Sequence, residues 1–453
     1  MLLDLVATGV NVFRINFSHA DYKTVENNIK SIRSINKEHG YNAAILADLQ
    51  GPKLRVGVMK DNVIVAPGDE IVFATGAHFE GTKDRVFMTY KRFPMDAKAG
   101  EKILLDDGKL IFEVVSTNKT NEVRARVIQG GPLKSKKGVN LPNTNISQPA
   151  LTEKDKKDAL FAIEQEVDWM ALSFVRNPED IKELEAIISE HSNYKIPVIA
   201  KIEKPEAVAN IDAIVKSCDG LMVARGDLGV EIPAAKVPLA QKEVIKLAGA
   251  LGKPVVIATQ LLESMIDSQT PTRAEVSDIA NAIFDGVDAL LVTGETAIGK
   301  FPVDVVKTLN QVIKEIEQTK NATRKFLPED INKTADAISH AVCSISADLD
   351  IELIMTMTHS GSTARMISRY RPHAKIFALT PFDKIVRQLQ IIWGINPIKV
   401  DNYDNVEAIP ELCFSVLKDF KLLAHGDKFV ITGGVPMGTA GTTNYLSVQE
   451  FDS

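Results

Sequence analysis

Lys201 and Glu203 stand two residues apart at the end of an apolar run, Pro197–Ile202. Side chains alternate along a strand, so these two point to the same side. The next apolar run, Gly220–Ala224, ends in Arg225-Gly226-Asp227 and adds a second carboxylate. Two carboxylates completed by water and substrate oxygens suit Mg²⁺, which keeps several waters and takes few protein ligands. A lysine beside such a cation can neutralise charge developing on a transferring phosphoryl group or an enolate. A plain Lys201–Glu203 salt bridge would account for one such pair, but the matching acidic strand end next door favours a site. Gly226-Asp227-Leu228-Gly229 either offers backbone N–H groups to a small carboxylate or phosphate, or is a tight loop. Thr259 follows the run Pro254–Ala258 and either aims its hydroxyl into the same cavity or caps a helix.

A second set of polar side chains lies near the start of the chain. Arg14, Asn16 and Ser18 alternate along one strand, and His19 follows. The arginine fork suits phosphate oxygens, and a structural pair with Asp48 at the next strand end is the alternative. Ser135-Lys136-Lys137-Gly138 is a short basic turn that could close onto nucleotide phosphates or simply be solvated. Near the other end, Ser360, Ser362 and Thr363 join a strand to a helix starting near Ala364. Hydroxyls and amides there make an anion pocket or an ordinary N-cap. Gly433–Gly438 and Gly441-Thr442-Thr443 form a second glycine-rich stretch.

The elements that must position these residues follow from the apolar pattern. Seven short runs, Val12–Phe17, Ala43–Leu49, Asp168–Phe174, Pro197–Ile202, Gly220–Ala224, Pro254–Ala258 and Ala289–Val292, alternate with helix-period segments. Near-continuous apolar strands are buried on both faces, as a parallel sheet requires. Polar residues gather at the strands' C-terminal ends, where barrels build active sites. We therefore expect an α/β fold, a (β/α)₈ barrel whose first strand is absent from this sequence; an open seven-stranded sheet is the alternative. The segment 53–149 reads as an inserted all-β module of short β-branched runs divided by turn pairs such as Pro67-Gly68 and Asp107-Gly108. Thr152 and Asp155 then cap the helix that restarts the barrel. The expected units are 1–52 and 150–320 for the barrel, 53–149 for the insert, and 321–453 for a C-terminal α/β domain.

Composition sets the class. The chain has 453 residues, 25% charged and 45% apolar, with a net charge of −6. These values exclude disordered, collagen-like and coiled-coil chains and disfavour general nucleic-acid binding. No apolar run is long enough for a membrane span, and the opening residues lack a basic secretory region. Cys218, Cys343 and Cys413 are scattered, without metal spacing. A cytoplasmic enzyme, bound to neither membrane nor nucleic acid, is the expectation.

With these residues in view, the chain resembles the pyruvate kinase family in its bacterial-type form. The resemblance rests on Asn11–His19, Asp48–Arg55, Ser135–Pro142, Lys201–Glu203, Met222–Glu231, Ala258–Met265, Pro271–Glu275 and Gly294–Ala297, in order along the chain. It implies a barrel, a β lid and a C-terminal regulatory domain, assembled as a homotetramer. The implied reaction is phosphoryl transfer from phosphoenolpyruvate to ADP, giving pyruvate and ATP. Arg14 and Lys201 would bind the transferring phosphoryl group, and Glu203 and Asp227 would hold Mg²⁺ or Mn²⁺. Gly226 and Asp227 would take the substrate carboxylate through their backbone, and Thr259 would lie near the enolate face that is protonated. Asn16, His19, Arg55 and Lys137 would contact ADP or ATP. A phosphorylated effector is implied for the C-terminal loops, at Ser360, Ser362 and Thr363.

Two departures carry expectations of their own. The family's opening strand is missing from this sequence. The family's K⁺ pocket matches Asn16, Ser18 and Asp48, but its glutamate position is Lys53 here. A lysine ammonium would supply the cation's charge, so activity without K⁺ is expected. The rival readings are another Mg²⁺-dependent barrel enzyme handling an enolate, which would lack the basic turn in an inserted β module, and an inactive effector-binding subunit.

Overall fold

The computed structural model describes the chain except residues 19–20, 320–325, 327–332, 404, 437–441 and 452–453. Seven parallel strands form one sheet in chain order: Val12–Asn16, Ala44–Asp48, Trp169–Leu172, Val198–Ile202, Gly220–Ala224, Val255–Ala258 and Ala289–Leu291. A doubly wound sheet would reverse its order partway, whereas a barrel adds each strand beside the last. All seven expected strands are present in that order. The fold is a (β/α)₈ barrel that lacks its first strand in this sequence. Five central strands are buried along their whole length, as their unbroken apolar character requires.

Local sequence sets the joints. Asp21 caps the helix Tyr22–His39, Val25, Ile29 and Ile32 bury its inner face, and Gly40 ends it at φ 71°. Thr152 and Asp155 form the expected capping box at Glu153–Glu164. The other Asp155 oxygen accepts the Gly51 amide at 3.0 Å. This ties the point where the chain leaves the barrel to the point where it returns.

The insert is a six-stranded sheet from Glu70 to Asn140, with Phe73, Phe93 and Phe112 meeting edge-to-face in its core. The run Val56-Gly57-Val58, expected as a strand, forms no ladder; Val56 makes a lone bridge to Met88. The C-terminal unit is a five-stranded sheet. Its edge strand Thr443–Glu450 runs antiparallel because it returns directly along Lys428–Gly434.

Three aspartates fix the barrel floor. Asp168, Asp219 and Asp288 each precede a strand and accept an amide at the start of a neighbouring one: Ile45, second in its strand, at 2.8 Å, and the leading Val198 at 3.0 Å and Val255 at 2.9 Å. The second oxygens of two of them reach C-terminal arginines, Asp168 to Arg387 at 2.7 Å and Asp288 to Arg371 at 3.1 Å. Arg371 is buried and lies 4.6 Å from the Trp393 ring centroid. Removing one partner of a buried pair leaves an uncompensated charge. Asp288→Ala is therefore expected to cost about 3–5 kcal/mol, read as a lowered urea midpoint for the full chain. An unchanged midpoint would show that the pair does not hold the two units together.

Candidate active site

Register brings the mouth residues together. Leu172 pairs with Ala200 and Ala171 with Asp48, so Ser173, Lys201 and Asp48 emerge side by side. The Lys201 Nζ donates to Ser173 Oγ at 2.8 Å and lies 3.0 Å from Glu203 Oε1 and 3.2 Å from Asp48 Oδ1. Asp48 Oδ2 receives the Arg14 Nε at 2.6 Å. Glu203 Oε2 accepts the Phe174 amide at 2.8 Å. The Lys201–Glu203 and Arg14–Asp48 salt bridges that the sequence offered as alternatives are both formed, and Lys201 also meets Asp48, which joins the two pairs.

Burial and charge compete at each group. Desolvation would lower the Lys201 ammonium, but Asp48 and Glu203 outweigh it and hold it above the ordinary lysine range. Desolvation would raise Asp48, but Lys201 and Arg14 prevail and keep it below the usual carboxylate range. Glu203 goes the other way: burial lifts it, Lys201 opposes, and the nearby Asp227 charge lifts it further. Two carboxylates that repel each other beside a cleft invite a divalent cation. Among the described residues no cluster of three or more His, Cys, Asp or Glu offers a complete metal site. Both Glu203 oxygens are engaged, Oε1 by Lys201 and Oε2 by the Phe174 amide, and a cation held there with Asp227 would need water and substrate oxygens to complete its shell.

A cleft of about 950 Å³ opens at Asp227, lined also by Arg225, Gly226, Thr259 and Gln260 and reached by Asp107 of the insert; Lys201, Glu203 and Asp48 are not among its lining residues. Thr259 does not cap a helix. Its Oγ1 accepts the Gly226 amide at 2.7 Å and donates to Ala258 O at 2.6 Å. The Gly226 amide expected to receive a substrate carboxylate is thus held by Thr259.

The remaining expected residues are scattered around the mouth. Asn16 is exposed, and its side chain accepts the Ser18 amide at 3.0 Å. Lys53 is exposed, has no ion pair among the described residues, and lines a small cavity of about 60 Å³ with Asp227, Lys204 and Arg176. In the insert, Arg55 donates to Lys136 O at 3.0 Å and Lys137 pairs with Asp106 at 2.8 Å. Lys137 of the basic turn is thus matched by Asp106 of an acidic one instead of standing free. His19 lies outside the described residues, as do 437–441 of the glycine-rich stretch. Ser362 starts the helix Ser362–Ser368, whereas Thr363 is buried and shares a 2.9 Å hydrogen bond with Thr443.

Sequence reasoning passed over Ser173, Arg225 as a side chain, and the buried Lys204–Glu231 pair at 2.6 Å. Asn140 of the insert joins that pair at 2.8 Å. Only the hydroxyl of Ser173 near the end of the otherwise apolar run Asp168–Phe174 could have marked it.

The fold and these strand ends define a class, the barrel phosphotransferases with an inserted β module and a C-terminal α/β domain. Residues 1–306 match the family model for the pyruvate kinase barrel domain, and residues 336–449 match that for its alpha/beta domain. A pyruvate kinase of Bacillus licheniformis is 44% identical over 99% of this chain and 77% of that protein. One from Clostridium acetobutylicum is 40% identical over 98% of this chain and 94% of that protein. The crystal structure of a pyruvate kinase from Cryptosporidium parvum superposes with a TM-score of 0.93 at 32% identity, covering 99% of this chain and 92% of that one. The chain belongs to the pyruvate kinase family. Its reaction is transfer of the phosphoryl group of phosphoenolpyruvate to ADP, giving pyruvate and ATP.

The depressed Asp48 carboxyl contributes stability that is present above the ordinary carboxylate pKa of about 3.9 and is lost as pH falls through its lower folded value. Asp48→Asn is expected to flatten the loss of unfolding free energy on acidification below about pH 4. An acid limb as steep as that of the unsubstituted chain would contradict the assignment.

Proposed function

We propose that Lys201, Arg14, Glu203, Asp227 and Thr259 carry this reaction. The observation that supports the reading best is the buried Lys201 ammonium, fixed by Ser173, Glu203 and Asp48 within 3.2 Å. As the phosphoryl group leaves phosphoenolpyruvate, negative charge collects on the enolate oxygen. A cation already held in place stabilises that charge without reorganising. Arg14, oriented by Asp48, turns its remaining donors to the phosphoryl oxygens. Mg²⁺ held by Glu203 and Asp227 would supply further positive charge to the same oxygens.

The substrate carboxylate takes the amides of Gly226 and Asp227. This releases Thr259 Oγ1 from Gly226, so the hydroxyl turns to the enolate carbon where the proton arrives. Asn16, His19, Arg55 and Lys137 hold the nucleotide, with Lys137 exchanging Asp106 for a phosphate. Lys53 replaces the monovalent cation of the pocket formed with Asn16, Ser18 and Asp48. Units 1–52 with 150–320, 53–149 and 321–453 act as barrel, lid and regulatory domain. The enzyme works as a cytoplasmic homotetramer, and a phosphorylated effector binds near Ser360 and Ser362. Among the described residues no helix is long and apolar enough to cross a membrane.

Pyruvate formation from phosphoenolpyruvate and ADP tests the carboxylates. Glu203→Gln and Asp227→Asn are each expected to lower kcat/KM by at least about 10²-fold. Mg²⁺ should raise the melting temperature of the unsubstituted chain and leave Glu203→Gln unmoved. Near-normal turnover in both variants would overturn the assignment. Replacing K⁺ with tetramethylammonium should leave turnover intact and abolish it in Lys53→Glu. A collapse of the unsubstituted enzyme would remove the role given to Lys53.

A further inference from the structure

Thr259 and Gln260 are consecutive non-glycine residues in the left-handed region, at φ 68° and 54°. That conformation is unfavourable for residues with a Cβ and persists only where the surroundings impose it. Arg225 supplies the imposition. Its NH2 donates to Thr259 O at 3.0 Å and to Gln260 O at 2.9 Å, while NH1 pairs with Asp278 Oδ2 at 2.6 Å. The guanidinium thus satisfies both carbonyls that the left-handed turn directs away from the sheet. Its side chain is 9% exposed, so these bonds form largely out of water.

The contacts close a circuit. Arg225 holds the backbone of Thr259, and the Thr259 hydroxyl holds the amide of Gly226, the residue next to Arg225. Movement of the guanidinium would shift the Thr259 hydroxyl and the Gly226 amide together. We infer that Arg225 is a positioning residue for proton delivery to the enolate carbon, with Asp278 orienting its guanidinium. The inference rests on the reading of Thr259 as the group beside that carbon. A lysine ammonium is a point charge and lacks the planar fork that spans two carbonyls and a carboxylate.

The residues given to the nucleotide, among them Asn16, Arg55 and Lys137, stand on another strand and in the insert, so loosening the Thr259 turn should separate the proton step from nucleotide binding. Misplacing a reacting group by about 1 Å costs on the order of 10²-fold. The test follows exchange of the methyl hydrogens of pyruvate with D₂O by proton NMR, on the full enzyme with Mg²⁺ and ATP. Arg225→Met and Arg225→Lys are both expected to lose about 10²-fold in exchange, with the KM for ADP unchanged. Asp278→Asn keeps the arginine and should show a smaller loss of the same kind. Added methylguanidinium should restore part of the exchange to Arg225→Ala but none to Thr259→Val. Normal exchange in Arg225→Met alongside a crippled Thr259→Val would overturn the role of Arg225. Normal exchange in Thr259→Val would instead remove the reading of Thr259, and the inference with it. Should Arg225→Met fail to fold, Asp278→Asn and Arg225→Lys carry the same comparison, and normal exchange in both would refute it.

Discussion

A buried lysine ammonium is affordable only where opposite charge meets it, and everything at the barrel mouth follows from that constraint on Lys201. Stripping the ammonium of water would cost several kcal/mol. Asp48 and Glu203 offset the cost, and Ser173 takes a third donor bond. Those partners come from three other positions on three adjacent strands or their ends, which only a parallel sheet in chain order brings to one spot. The cluster holds the charges of Arg14 and Lys201 against those of Asp48, Glu203 and Asp227. One negative charge is left over, which is the balance that the proposed divalent cation would meet.

The two ends of the barrel divide the physical labour. At the N-terminal ends, Asp168, Asp219 and Asp288 spend their oxygens on strand amides and on cations, arginines for Asp168 and Asp288 and Lys195 for Asp219, so those carboxylates are fully engaged. At the C-terminal ends, Glu203 is left strained by Asp227 and held up in pKa. Conserving rigidity below lets unfavourable electrostatics persist above, where a ligand can relieve them. The Lys204–Glu231–Asn140 contacts link the insert to the same mouth.

Much of this was legible in the chain because the relevant periods are short. Lys201 and Glu203 share a face by strand alternation, Asp48 and Asp227 sit at strand ends, and Thr152 with Asp155 follows a local capping rule. What was not legible depends on partners far away in sequence. Ser173 has no spacing that singles it out, and its role comes from the register that sets it beside Lys201. Lys137 reads as a free basic residue until Asp106 is found opposite it. Thr363 reads as an anion ligand until Thr443, eighty residues later, takes its hydroxyl. Thr259 leaves a cavity hydroxyl and a helix cap both open on local grounds, and its left-handed backbone, bonded by a neighbouring strand's arginine, is what sets aside the second. The run at Val56 shows the converse, a β-like sequence that gains no ladder partner.

The account stands on the Lys201 charge, so the most direct measurement is pyruvate formation from phosphoenolpyruvate and ADP by Lys201→Met. The account predicts loss of at least about 10³-fold in kcat, with the folded barrel and phosphoenolpyruvate binding retained through Arg14. Turnover within a few-fold of the unsubstituted enzyme would contradict it, because the charge on the enolate oxygen would then be stabilised by something other than the ammonium at the barrel mouth.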